Sequence, residues 1–124
     1  MILGIGVDII EIDRIKSIIN RFEYKFLNKI YTENEIEYCI NKVNKYQHFA
    51  ARFAAKEAIY KALNENEQKI ANWKNIEVFN QKNGLPIVKT YGKLKEYLAD
   101  DKEIKLSISH SENYVVCFAV INKL

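Results

Sequence analysis

The sequence predicts an α+β fold in which a mostly antiparallel sheet packs on one long helix. Three observations predict it. The chain opens on a strand-like stretch, residues 2–12, and closes on two more, 103–110 and 114–121. The last is apolar on both faces and reads as a central strand. Between them lies "YQHFAARFAAKEAIYKAL" (46–63), whose apolar and small residues recur at helical spacing. With 4 Gly and 1 Pro in 124 residues, no flexible linker divides the chain, and one domain spanning 1–124 is expected.

The elements follow in order. In "ILGIGVDIIEI" one face holds Leu3, Ile5, Val7 and Ile9, and the other holds Ile2, Gly4, Gly6, Asp8 and Ile10. Both glycines share the face of Asp8, leaving room there for a backbone or a ligand to approach. Residues 13–29 read as one helix with an apolar stripe of Ile15, Ile18, Ile19, Phe22 and Phe26. Arg14, Arg21 and Lys25 share another of its faces, either a solvated surface or a basic contact. A second helix opens at Thr32, where Glu35 three residues on completes a capping box. On the long helix, Phe49, Phe53, Glu57 and Lys61 stand four apart on one stripe. Strands at 75–80 and 85–90 flank an Asn83-Gly84 turn. A short helix at 91–100 turns Leu94, Tyr97 and Leu98 inward. Ile104, Leu106, Ile108 and His110 share one face of the next strand, Ser107 and Ser109 the other, and Ser111-Glu112-Asn113 turns the final hairpin.

Composition narrows the function. A formal net charge of +3 permits an acidic partner without demanding nucleic acid, because the bases are interleaved with acids. A nucleic-acid-binding module is the competing class, and no aromatic-rich RNA-binding strand supports it. No apolar run reaches the length of a membrane span. The N-terminal run breaks at Asp8 and lacks a basic leader, so a cytoplasmic protein is expected. Cys39 and Cys117 match no metal spacing and read as free thiols, with a single disulfide as the alternative.

Chemistry concentrates on Asp8 and Glu57. A carboxylate on a buried strand is costly unless it is paired or binds a metal. Two carboxylates brought together repel unless a cation sits between them, and Mg²⁺ suits a site with two carboxylates, waters and phosphate oxygens. The plainer alternative pairs Asp8 with Lys56 or another base, and Glu57 with Lys61. Arg52, Lys56 and Lys61 would make a phosphate-binding surface beside such a metal. His110 could meet a phosphate or act as acid or base. Glu35 is first a helix cap and second a candidate base. "GIGVDI" is no dinucleotide fingerprint, since it lacks the third glycine of that motif.

Four segments, "GIGVDIIEIDRI" (4–15), "RFAAKEAIYKAL" (52–63), "NGLP" (83–86) and "SISHSENYVVCFAVI" (107–121), give the chain its likeness. In order and spacing it resembles the bacterial-type holo-[acyl-carrier-protein] synthases, small 4′-phosphopantetheinyl transferases. The resemblance implies transfer of the 4′-phosphopantetheine arm of coenzyme A to a serine of apo-acyl carrier protein, in fatty acid biosynthesis. The other product would be adenosine 3′,5′-bisphosphate. It implies Mg²⁺ held by Asp8 and Glu57, phosphate contact from Lys61, and Ser109 and His110 at the nucleotide end of coenzyme A. Arg14 would meet the acidic carrier, and homotrimers would place active sites between protomers. One departure stands out. Where the family has a glycine-containing turn, this chain has Asn64-Glu65-Asn66-Glu67. That difference is the support for a further alternative, a non-catalytic carrier-binding homologue.

Overall fold

Alternation of small and apolar residues positions the first strand, β1 (Ile2–Glu11), in the computed structural model, which describes residues 1–124. Its glycine face turns inward onto the long helix. The helix is α4 (Lys45–Ala62), and it packs against β1 and the last strand of the sheet and against the first and third helices of the chain. Ala50, Ala54, Ala55 and Ala58 are fully buried along it. A β carbon added at Gly4 would overlap the carbonyl oxygen of Ala62, and one added at Gly6 would overlap that of Ala58. Glycine on the strand and alanine on the helix therefore let two backbones touch, which larger side chains would prevent.

The chain continues through α1 (Ile12–Phe22), α2 (Tyr24–Ile30), α3 (Glu33–Ile40) and, after α4, α5 (Glu65–Ile70). A 3₁₀ turn at Trp73–Asn75 leads into β2 (Ile76–Asn80), β3 (Pro86–Thr90), α6 (Gly92–Leu98), β4 (Lys102–His110) and β5 (Tyr114–Lys123). β5 is central in an antiparallel sheet of order β1-β5-β4, as its two apolar faces predict. Its register sets Asp8 opposite Cys117 and His110 opposite Val115.

β2 and β3 form a separate antiparallel hairpin beside the three-stranded sheet. The structure differs from the sequence reading at three places. The expected helix 13–29 breaks at Glu23, whose φ of 50° lies in the left-handed region. No glycine marks that break. It lets Phe26 and Tyr31 pack edge-on, with Tyr31 against Phe49 and Phe26 against Phe53. Residues 65–70 form a helix that went unpredicted, capped by Asn64 and Glu67 in a reciprocal box. Tyr97 is exposed, and only Leu94 and Leu98 of α6 are buried.

Leu3, Ile5, Val7 and Ile9 point away from α4 and stay 45–65% exposed, beside exposed Phe118 of β5. The sheet thus carries an uncovered apolar face. Cys39 and Cys117 are free, and burial pushes both thiols up to about 12. No helix is long and apolar enough to cross a membrane.

Candidate active site

Strand β1 and helix α4 meet at Asp8, Glu57 and Lys61. The Lys61 ammonium donates to Asp8 Oδ1 and to the Val7 carbonyl, each at 3.1 Å. Asp8 therefore pairs with Lys61 rather than with Lys56. Glu57 lies one helical turn before Lys61 on the same stripe. Its carboxyl is pushed above the ordinary range, first by desolvation and then by the charge of Asp8, with Lys61 opposing. The two acids thus feel each other, as a shared site requires.

This donor set fits a hard divalent cation of the Mg²⁺ type. The negative charge that Asp8 places beside Glu57, which raises the proton affinity of Glu57, would be neutralised by such an ion. No group of three or more His, Cys, Asp or Glu side chains gathers anywhere in the chain, so the protein offers no full metal cage. A partly hydrated ion that also takes substrate oxygens is the kind this pair can hold.

Two expected participants are removed by burial. Glu35 and Lys56 are each 1% exposed and form an ion pair of 2.6 Å. Glu35 also accepts from the backbone of Thr32 at 2.9 Å and of Val78 at 2.9 Å, and caps α3. It cannot reach a substrate, so its reading as a base is wrong and its reading as a cap is right. Lys56 donates to the Ile30 carbonyl at 2.8 Å and the Trp73 carbonyl at 3.0 Å. It therefore ties α2, α3 and the 3₁₀ turn to α4 and offers nothing to a phosphate. Burial pulls its pKa down and Glu35 pulls it back toward the ordinary value. The three acceptors around it hold a charged ammonium.

Arg52 is buried too, apart from the carboxylates. Its guanidinium lies 4.3 Å over the Tyr38 ring and donates to Asn80 Oδ1 at 2.9 Å, while its Nε has no partner. Lys42 sits over the same ring at 4.5 Å, and the His48 ring meets Tyr38 edge-on at 5.7 Å. Desolvation, followed by Arg52, Lys42 and His110, lowers the pKa of His48. A basic and aromatic cluster thus forms at the N-terminal half of α4, with His110 of β4 nearby. Sequence reading missed Tyr38, Lys42 and His48, because no local pattern joins α3 to α4.

Ser109 and His110 are exposed at the end of β4. Register places Ser109 opposite Val116 and hence in line with Ile9, on the outward apolar face. His110 shares the inward face but lies two strands from β1, roughly 10 Å sideways. Neither is brought to the Asp8 carboxylate within one chain. Arg14 and Arg21 are exposed on α1, while Lys25 sits beyond the Glu23 break on α2 and does not continue their row.

A hollow of about 360 Å³ opens beside Glu57, lined by Lys56, Glu57, Tyr60, Ala71, Asn72, Trp73 and Ile76. A larger one, about 530 Å³, lies between β3, α6 and β4 and contains none of the reactive groups. The acids of the departing segment are accounted for. Glu67 bonds back to the Asn64 backbone at 2.9 Å, and exposed Glu65 pairs with Lys69.

Residues 4–119 match the 4′-phosphopantetheinyl transferase superfamily. The chain belongs to that family. Its relatives include the holo-[acyl-carrier-protein] synthase of Thermodesulfovibrio yellowstonii, 49% identical over 98% of this chain and 99% of that protein. Among solved structures, the holo-(acyl-carrier-protein) synthase of Bacillus anthracis, in complex with CoA (3′,5′-ADP), superposes with a TM-score of 0.82. It is 36% identical over 100% of this chain and 99% of that one. The Neisseria meningitidis holo-[acyl-carrier-protein] synthase gives 0.86 at 29% identity, covering 99% and 100%.

Proposed function

We propose that this chain transfers the 4′-phosphopantetheine arm of coenzyme A to a serine of apo-acyl carrier protein, releasing adenosine 3′,5′-bisphosphate. One observation carries the reading. In a chain whose relatives are holo-[acyl-carrier-protein] synthases, Asp8 of β1 and Glu57 of α4 share one site with the Lys61 ammonium. The bond that forms joins the serine Oγ to the arm's phosphorus, and the bond that breaks is the pyrophosphate P–O link.

Asp8 and Glu57 would hold Mg²⁺, which supplies charge neutralisation on the phosphoryl oxygens when bound. Lys61 is half exposed and can swing from Asp8 to a phosphate oxygen. With Glu35 buried, Glu57 is the reachable carboxylate of the two read as bases. Ser109, His110 and Arg52 would serve the nucleotide end, and Arg14, Arg21 and Lys25 the acidic carrier. The enzyme acts as a single domain, in the cytoplasm and in fatty acid synthesis, under this reading.

A homotrimer, as the family resemblance implies, would cover the apolar sheet face that this chain leaves exposed. Ser109 lies on that face, away from its own Asp8, so a neighbouring copy would complete the site. The direct test mixes the protein with apo-acyl carrier protein, coenzyme A and Mg²⁺ and weighs the carrier. A gain of one phosphopantetheine is expected. No gain with several carriers, or full activity in Asp8→Ala, refutes the proposal.

A further inference from the structure

Resting on the transferase reading for its phosphate partner, we infer that Lys61 is a stand-in cation for the site. It holds Asp8 while no divalent ion is bound. Uptake of such an ion by Asp8 and Glu57 frees it to meet a substrate phosphate.

The contacts of Lys61 are those of a bound cation. Its ammonium rests on one carboxylate oxygen, Asp8 Oδ1, and on one backbone carbonyl, that of Val7, each at 3.1 Å. Carboxylate and carbonyl oxygens are also the donors that hard metal ions take. Burial explains why a cation is needed there. The Asp8 side chain is 16% exposed, and no other base pairs with it. A carboxylate so enclosed is costly to leave alone. Glu57 cannot help, since it is a second negative group with no ion pair of its own. Two carboxylates and one ammonium leave the trio with an excess of negative charge. A divalent ion between the acids would balance both. The ammonium would then face a like charge across the same Asp8 oxygen. Lysine and metal therefore exclude each other at Asp8.

Of the two lysines in this half of α4, one is built to move. Lys56 is fully enclosed by Glu35 and two carbonyls. Lys61 has two acceptors, and its side chain is half exposed. An ion pair that open is held weakly, so its release costs little. Lys61 stands in the last turn of α4, and its flexible stem can carry the ammonium off Asp8 while the helix stays in place. Loading is thereby ordered. The empty site keeps its lysine folded back on β1, and the ammonium becomes available to a phosphate once the acids hold their ion.

Lysine labelling and metal titration test this without coenzyme A or carrier. A limiting amount of the N-hydroxysuccinimide ester of acetic acid acylates accessible amines, and peptide masses read each lysine separately. In the unaltered protein, Mg²⁺ is expected to raise labelling of Lys61 at least about threefold over sodium chloride of equal ionic strength. Lys69, exposed on α5 and paired with Glu65, should be unaffected. In Asp8→Asn, Lys61 should label fast without Mg²⁺ and ignore its addition. By calorimetry, Lys61→Met should bind Mg²⁺ at least about threefold more tightly than the unaltered protein. If Lys61→Met fails to fold, Lys61→Gln gives the same readout. Lys61 labelling that Mg²⁺ leaves unchanged or lowers overturns the inference. So does equal or weaker Mg²⁺ affinity in the Lys61 variant, or no Mg²⁺ binding by either protein. If Mg²⁺ releases Lys61 but the unaltered protein loads no apo-acyl carrier protein, the transferase reading falls and the phosphate role of Lys61 with it, while the exchange at Asp8 stands.

Discussion

Replacing Gly6 with alanine should damage both stability and chemistry, because one close contact supports both. The new β carbon would overlap the Ala58 carbonyl oxygen and stand 3.0 Å from its carbonyl carbon and from the Ala62 nitrogen. Neither neighbour is a flexible side chain that could swing away. Carbon contacts are comfortable near 3.5–4.0 Å, so β1 and α4 must part by about 1 Å. Overpacking of that kind costs about 3 kcal/mol. The same movement separates Asp8 from Glu57 and Lys61, and a misplacement of about 1 Å is worth on the order of 10²-fold in rate. Urea unfolding and carrier loading measure the two effects. Gly84→Ala is the control. Nothing lies within 4 Å of that added carbon, and only its φ of +89° opposes it. It should cost about 1 kcal/mol and spare the Asp8 site. A Gly6→Ala protein within 0.5 kcal/mol of the original by urea titration, with loading intact, would refute the argument (about 0.5 being the limit of an ordinary surface change).

Other outcomes follow from the buried charges, the thiols and the open sheet face. Lys56→Met leaves Glu35 charged and unpaired in the core, and should cost about 3–5 kcal/mol in chemical denaturation. Adding Glu35→Gln should recover part of that loss, because it removes the unpaired charge while its amide oxygen can still accept a backbone N–H. Cys39 and Cys117 should resist alkylation at pH 8 in native protein and react fully in denaturant, as mass shifts will show. Burial raises both thiols from 9.0 to about 12, so the folded state keeps their protons longer than the unfolded chain does. The resulting stability is intact below pH 9 and is lost as the pH climbs toward 12, a loss that thermal melts across that window would detect. Ile9→Glu, at 65% exposure on the sheet's outer face, should leave the fold intact and lower the mass that light scattering reads for the proposed homotrimer.

The sequence made some of this legible through spacing. The four-residue stripe of Phe49, Phe53, Glu57 and Lys61 brought the acid and the base of the site into line before any coordinates. The "GIGVDI" stretch named the strand and its special face. Spacing failed where a neighbour in space decides the outcome. Lys56 and Glu57 are adjacent, yet about 100° of helical rotation sends one into the core and the other to a hollow. The partner that makes Lys56 structural lies 21 positions earlier, on α3. The α5 helix was readable, since Asn64 and Glu67 form the same capping pattern as Thr32 and Glu35. The Glu23 break was not, because it answers to aromatic packing on α4 rather than to a local signal.

The alternation of β1 links the site to assembly. Because successive side chains face opposite ways, the glycines that admit α4 and the carboxylate beside them occupy one face together. The bulky residues Leu3, Ile5, Val7 and Ile9 are thereby forced outward. In an ordinary strand those residues would seal the core. Here the core face is sealed by a helix backbone, and the apolar side is left exposed. A slip of one residue would put the leucine, valine and isoleucines against α4 and carry Asp8 to the outer face. The register that pairs Asp8 with Lys61 is therefore the same register that exposes the apolar stripe on which the proposed assembly rests. A substitution that disturbs the inward glycines should accordingly lower activity and assembly together, whereas one confined to the outward stripe should disturb assembly first.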